Sequence, residues 1–246
     1  MIFYLFFLLL IVKAKQIEEC FELNEETVEF NNDKTTMKII GTGFMCHCHN
    51  DKLSNYKETV QSIQIDNSVK SIGKQCLMNY NKLTEISLGS GITQIEKYAI
   101  YNTKIKEITI PGNVQLIEEF AFAENKELKT ITFNENEEEI RIENYAFKNC
   151  EKLTSFHLPK RLKQFNPLIF DECNFQSITV DKNHENYEVN DNSLFDINGT
   201  KLIYYQKGLE NEKYLVSEET EIIEEKAFIN NKLNYILFPI TLKNIQ

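Results

Sequence analysis

The chain repeats itself, and that periodicity leaves few architectures open to it. A phrase of the form apolar-x-x-apolar-x-apolar begins at Val60, Leu83, Ile105, Leu128, Leu153, Phe175 and Leu233, at spacings of 23, 22, 23, 25, 22 and 58 residues. A second phrase, in outline Ile-x-x-x-x-Phe, keeps register with the first. Leu77, Ile100, Phe122 and Phe170 each fall 17 residues after their strand start, Phe147 falls 19 after, and Phe228 falls 53 after. A unit this short cannot bury its apolar face alone, whereas stacked neighbours can. The pattern predicts a β-rich solenoid of parallel strands, each followed by a turn and a short helical or 3₁₀ turn on the convex side.

What precedes the repeats reads as two segments. Residues 1–15 contain an apolar run, 2–12, followed by a small residue at Ala14, which reads as a secretory signal peptide. Such a run crosses only about half of a roughly 30 Å hydrocarbon core. No second run long enough to span a bilayer follows, so membrane insertion is not expected. Residues 16–59 lack the repeat and read as an N-terminal cap over the apolar end of the solenoid, with 27–30 and 37–40 paired across the polar 31–33 turn. The formal charge of −10 argues against nucleic acid or an anionic membrane as partner.

From residue 60 to 246 the first, fourth and sixth residues of each strand phrase are expected to face the core. The residue between the last two then points outward, which gives a ladder of Gln64, Ser87, Thr109, Thr132, His157, Thr179 and Leu237. Neighbouring strands lie about 4.8 Å apart, so this ladder is a polar stripe along the sheet. Solubility and a shallow binding face explain it equally well.

Strand-Pro followed by V-x-x-I-x-x-x-A-F-x-N-C is legible in IPGNVQLIEEFAF and in IENYAFKNC, 142–150. These motifs make the chain similar to the BspA-like leucine-rich-repeat proteins, a surface family of mucosal bacteria and parasitic protists, over roughly residues 37–246. The resemblance implies a leucine-rich-repeat solenoid, a location outside the cell, and adhesion to a protein or glycan on a host or microbial surface. It also implies a repeated Asn-Cys position packed inside the turn, held here by Cys150 and by Cys173 in the next unit. Stacking brings those two within disulfide reach, so a bond between them is the alternative.

Three further features bear on function. Cys20 can staple the cap by pairing with Cys46 or Cys48, while Cys46-His47-Cys48-His49 is the one stretch with metal-site residue types. Alternation along an extended segment splits its cysteines from its histidines, so a tetrahedral site needs outside ligands, and metal binding stands as an alternative to the disulfide. Cys76 occupies an Ala position and reads as a small buried residue. The sixth unit carries an insertion at about 181–222 with a hairpin, 193–195 and 202–205, joined through Asn198-Gly199. Its Tyr187, Tyr204 and Tyr205 are candidate ligand contacts, and Asn198 in Asn-Gly-Thr is a candidate glycosylation acceptor.

Residues 233–246 form an incomplete last repeat. Its Ile236, Phe238 and Ile245 are expected to be exposed or covered by another chain, so the alternative to a binding protein is a structural or assembly repeat module, or a fragment, that needs a second chain at this end, with self-association as one form of it. No Gly-rich phosphate loop, G-x-S-x-G or H-E-x-x-H occurs, and the four histidines are scattered. The expectation is a non-enzymatic binding protein without a cofactor.

Overall fold

The computed structural model describes residues 20–48, 52–136, 138–191, 193–206, 213–229, 231 and 233–246. The signal-peptide reading of 1–15 falls outside the described residues, as do His49 and Glu137. The apolar triplets pack inward: Val60, Ile63 and Ile65, Ile105, Ile108 and Ile110, and Leu153, Phe156 and Leu158 are all buried. Their strands stack in parallel, with Ser62–Ile65 against Glu85–Ser87, Glu107–Ile110 against Thr130–Phe133, and Ser155–Leu158 against Ser177–Val180. Partners such as Ile108 and Ile131, or Phe156 and Ile178, sit one repeat apart, so these rungs set apolar residue against apolar residue.

The convex side departs from the expected helical turn. The Ile of each second phrase lies in a two-residue strand, and Ile72, Ile95, Ile117 and Ile142 pair in register as a second parallel sheet. Two residues per unit, four apart, then adopt left-handed backbone: Gln75 and Asn79, Tyr98 and Asn102, Phe120 and Glu124, Tyr145 and Asn149. A right-handed helix tolerates neither. The amides between them bond to the next rung instead, Leu77 N–H to the Ala99 carbonyl at 2.8 Å and Ile100 N–H to the Ala121 carbonyl at 2.8 Å. Among the described residues only the fifth unit, where Asn166 caps Pro167–Phe170, forms a 3₁₀ helix on this side.

Inside the turns Phe122, Phe147 and Phe170 stack at 5.1 and 5.5 Å. The residue three beyond each aromatic closes the turn. Asn125 donates to the Ile100 and Phe122 carbonyls at 2.8 and 2.7 Å and accepts from the Thr103 amide at 2.9 Å. Cys150 and Cys173 occupy this position in the next two units. Both are free thiols, and they donate to the Phe122 and Phe147 carbonyls of the preceding rung. No disulfide joins them, because each sulfur is directed to the backbone of the preceding rung. The two extra residues of the fourth unit are spanned by buried Arg161, whose guanidinium donates to the carbonyls of Val114 and Pro111 at 2.6 and 3.1 Å.

Ahead of the first phrase, Val28–Phe30 and Thr36–Ile39 form an antiparallel hairpin, and the second of these strands lies parallel to Ser62–Ile65. The chain then passes in front of the second sheet, with Gly43 bridged to Val69. Disulfides link Cys20 to Cys46 and Cys48 to Cys76. The first is one of the two pairings left open by the sequence. The second corrects the reading of Cys76 as a mere space-filler: residues 45–46 approach so closely that a Cβ on Gly73 would stand 2.3 Å from the Cys46 carbonyl oxygen, which brings Cys48 to the first rung.

The segment between 181 and 222 is more than a hairpin. Tyr187–Asn190, Ser193–Asp196 and Lys201–Tyr205 form an antiparallel sheet. Its last strand joins the solenoid, with Leu202 in register with Ile223. A further rung follows: Lys213–Leu215 runs parallel to Tyr235–Leu237, and Tyr214 precedes Ile223 by the nine residues that separate Ile108 from Ile117. Asn211 stands where that phrase calls for an apolar residue, which hides the rung from the sequence pattern.

Candidate functional site

Alternation along parallel strands leaves one residue per rung on the open sheet face. Gln64, Ser87, Thr109, Thr132, His157 and Thr179 are all exposed there. Register sets Gln64 beside Ser87, Thr109 beside Thr132, and His157 beside Thr179. His157 Nδ1 lies 3.0 Å from the Thr179 hydroxyl, and its Nε2 lies 3.6 Å from Asp181, which also meets Lys160 at 3.8 Å. The face is a shallow surface of hydroxyls and amides, able to exchange hydrogen bonds with a flat polar partner.

The three tyrosines expected to contact a ligand do not belong to this surface. Tyr187, Tyr204 and Tyr205 are buried. The inserted sheet lies across the solenoid as a partition: Leu194, Ile203 and Tyr204 pack on one core, and Phe195, Leu202 and Tyr205 pack on a second with Tyr214 and Val216. Tyr187 substitutes for a missing strand pairing, since its hydroxyl accepts from the Phe165 amide and donates to the Lys163 carbonyl, both at 2.8 Å. Burial pushes the Tyr204 phenol up to about 12. Asn198 does sit exposed at the hairpin tip, beside Gly199 in a left-handed turn. A polar cleft of about 450 Å³ opens at the foot of this sheet, between Lys163, Asn186, Lys201 and Glu224. Its lysines are engaged, Lys163 with Glu185 at 2.7 Å and Lys201 with Glu224 at 2.8 Å.

The metal alternative fails on the thiols. Cys46 and Cys48 are each closed in a disulfide, so neither offers a thiolate. His47 instead meets Glu96 at 2.8 Å. Burial raises the Glu96 carboxyl above its ordinary range, with His47 opposing the shift. Among the described residues no group of three or more His, Cys, Asp or Glu is placed to hold a metal ion.

One surface feature escaped sequence reasoning. Tyr98, Phe120 and Tyr145, at the left-handed positions of three successive turns, stack nearly parallel at 5.1 and 5.3 Å. Lys97 lies 5.6 Å from the first two ring centres and Lys148 lies 5.5 Å from the third. The signal was an aromatic three residues after Ile95, Ile117 and Ile142.

Comparison with known proteins places these features. The model of the BspA type leucine-rich repeat region matches residues 50–141 and 137–246, with six copies. The pneumococcal vaccine antigen PcpA has a similar fold, with a TM-score of 0.66 at 20% identity over 90% of this chain and 67% of that one. A leucine-rich repeat protein of Eubacterium ventriosum ATCC 27560 gives 0.57 at 16% over 87% of this chain and 58% of that one. A leucine rich cell surface protein of Faecalibacterium prausnitzii A2-165 gives 0.58 at 22% over 89% and 70%. The chain thus spans between 58% and 70% of the length of these three structures. No curated protein matches it.

Proposed function

The chain belongs to the BspA-type leucine-rich repeat family, and from that membership we propose that it acts outside the cell as a non-enzymatic adhesion protein. Its ligand is a protein or glycan on a host or microbial surface, held by the sheet face. The observation that carries this reading is the polar ladder: six successive rungs present Gln64, Ser87, Thr109, Thr132, His157 and Thr179 to solvent with no apolar interruption. A face of that kind contributes many weak hydrogen bonds over a broad area, which suits an extended macromolecule better than a small molecule in a pocket. Two disulfides support an oxidising compartment. Among the described residues no helix is long and apolar enough to cross a membrane. Asn198 at the exposed hairpin tip is the acceptor we propose for an N-linked glycan, read as a mass increment removed by amidase treatment.

The test is saturable binding of the full secreted chain to immobilised matrix proteins and to a glycan array, with a Thr109→Arg/Thr132→Arg variant alongside. Both side chains face solvent, so the variant keeps its core. We expect a loss of affinity of at least tenfold. Ligand binding unchanged by the variant removes the ladder from the account, and no binding across the panel counts against adhesion.

A further inference from the structure

The outward position changes character beyond the inserted sheet, in the two-stranded sheet of Lys213–Leu215 and Tyr235–Leu237. Leu215 and Leu237 stand where earlier rungs carry Ser87, Thr109, Thr132 and Thr179, and they are register partners, 62% and 44% exposed. Tyr235, partnered with Lys213 on the same face, is 66% exposed, and Ile240 in the turn that follows is 99% exposed. Stacking of rungs does not explain this. Leu215 already has the Tyr235–Leu237 strand hydrogen-bonded beside it and remains open, because its side chain points away from the core, perpendicular to the stacking direction.

We propose that this apolar face of the two-stranded sheet is a homodimer interface, in which Leu215, Tyr235, Leu237 and Ile240 of one chain pack on the same residues of a second copy about a twofold axis. The four side chains expose on the order of 500 Å² of apolar surface, the upper part of what one patch on a monomer shows. A standard interface covers about 800 Å² per partner, and in homodimers about 65% of it is apolar, so the patch supplies roughly the area required. Interfaces between partners that also live apart are no more apolar than ordinary surface, which makes a second copy the better occupant. A twofold contact is self-complementary, so a leucine pair meets a leucine pair with no second surface needed. The proposal is independent of the ligand-binding reading, since the polar ladder lies on other rungs.

The test is sedimentation velocity and light scattering of the full chain from about 1 to 100 μM, repeated for Leu215→Thr/Leu237→Thr. Threonine already occupies this column at 109, 132 and 179, so the variant folds, and circular dichroism verifies that it does. The expected result is a dimer whose dissociation constant rises at least tenfold in the variant. A wild-type chain that stays monomeric throughout overturns the proposal. So does a dimer that survives the double substitution but is lost in Phe238→Glu, which would put the contact on the strand edge. Ligand binding through Thr109 and Thr132 is expected to be the same in dimer and variant, so failure here leaves the adhesion reading standing.

Discussion

In three successive turns a single buried side chain, Asn125, Cys150 or Cys173, bonds back to the preceding rung, and Asn125 shows how. It is fully buried, and both ends of its amide are used: Nδ2 bonds two carbonyls, one of them a rung away, and Oδ1 receives the Thr103 amide and hydroxyl. Removing it leaves the Ile100 carbonyl and the Thr103 amide and hydroxyl without this partner, while the Phe122 carbonyl keeps the Cys150 thiol, and each orphaned group costs about 1–3 kcal/mol. Asn125→Ala is therefore expected to cost about 3 kcal/mol, seen as a lower urea midpoint with an unchanged slope. Cys150 and Cys173 do the same work with one donor each, and burial holds the Cys150 thiol well above its ordinary range. Tyr204 supplies a pH signature. Its phenol is raised from 10.0 to about 12 by burial, so the folded state keeps the proton that the unfolded state releases. Its contribution is intact below pH 10 and lost as pH rises toward 12, roughly 3 kcal/mol in all. Ultraviolet titration should find at least one tyrosine that ionises only as the chain unfolds; complete titration below pH 11 with native circular dichroism would contradict this.

Elements that break the repeat decide where the solenoid is closed and where it is divided. The segment around the leading hairpin is fastened by two disulfides, of which Cys48–Cys76 joins the stretch after the hairpin to the first rung across 28 residues. A loop of that size is worth about 3 kcal/mol when closed. Cys48→Ser/Cys76→Ser should lower the unfolding free energy by that amount, and an unaltered denaturation midpoint would mean that packing of Met45 and Gly73 alone holds the segment. At the other end the inserted sheet is apolar on both faces because a core lies on each side of it. That is why a hairpin whose tyrosines read as ligand contacts carries them buried. The hairpin itself was legible, since Asn198-Gly199 between two apolar runs specifies a tight turn. Its burial was not, because a run apolar on both faces reads the same whether it is a surface hairpin or a partition.

Across the whole molecule the polar ladder and the apolar patch lie on different rungs, on either side of the inserted sheet, so binding and self-association are separable by substitution. Stability in such an array is a sum of nearest-neighbour contacts, so changes at Thr109 or Leu215 should stay local. The sequence alone determined the solenoid, the inward triplets and the outward polar column, because every contact between rungs recurs at a nearly constant chain separation and leaves a period that can be counted. Tertiary structure decided what has no period. Cys48 finds Cys76 only because residues 45–46 are laid against Gly73, Tyr187 and Tyr204 are buried only because a sheet is wedged between rungs, and the left-handed pairs that replace the helical turn arise from amides bonding to the neighbouring rung. The rung containing Leu215 belongs to both. Its nine-residue offset to Ile223 was in the sequence throughout, but Asn211 masked its start, and only the pairing with Tyr235–Leu237 made it visible.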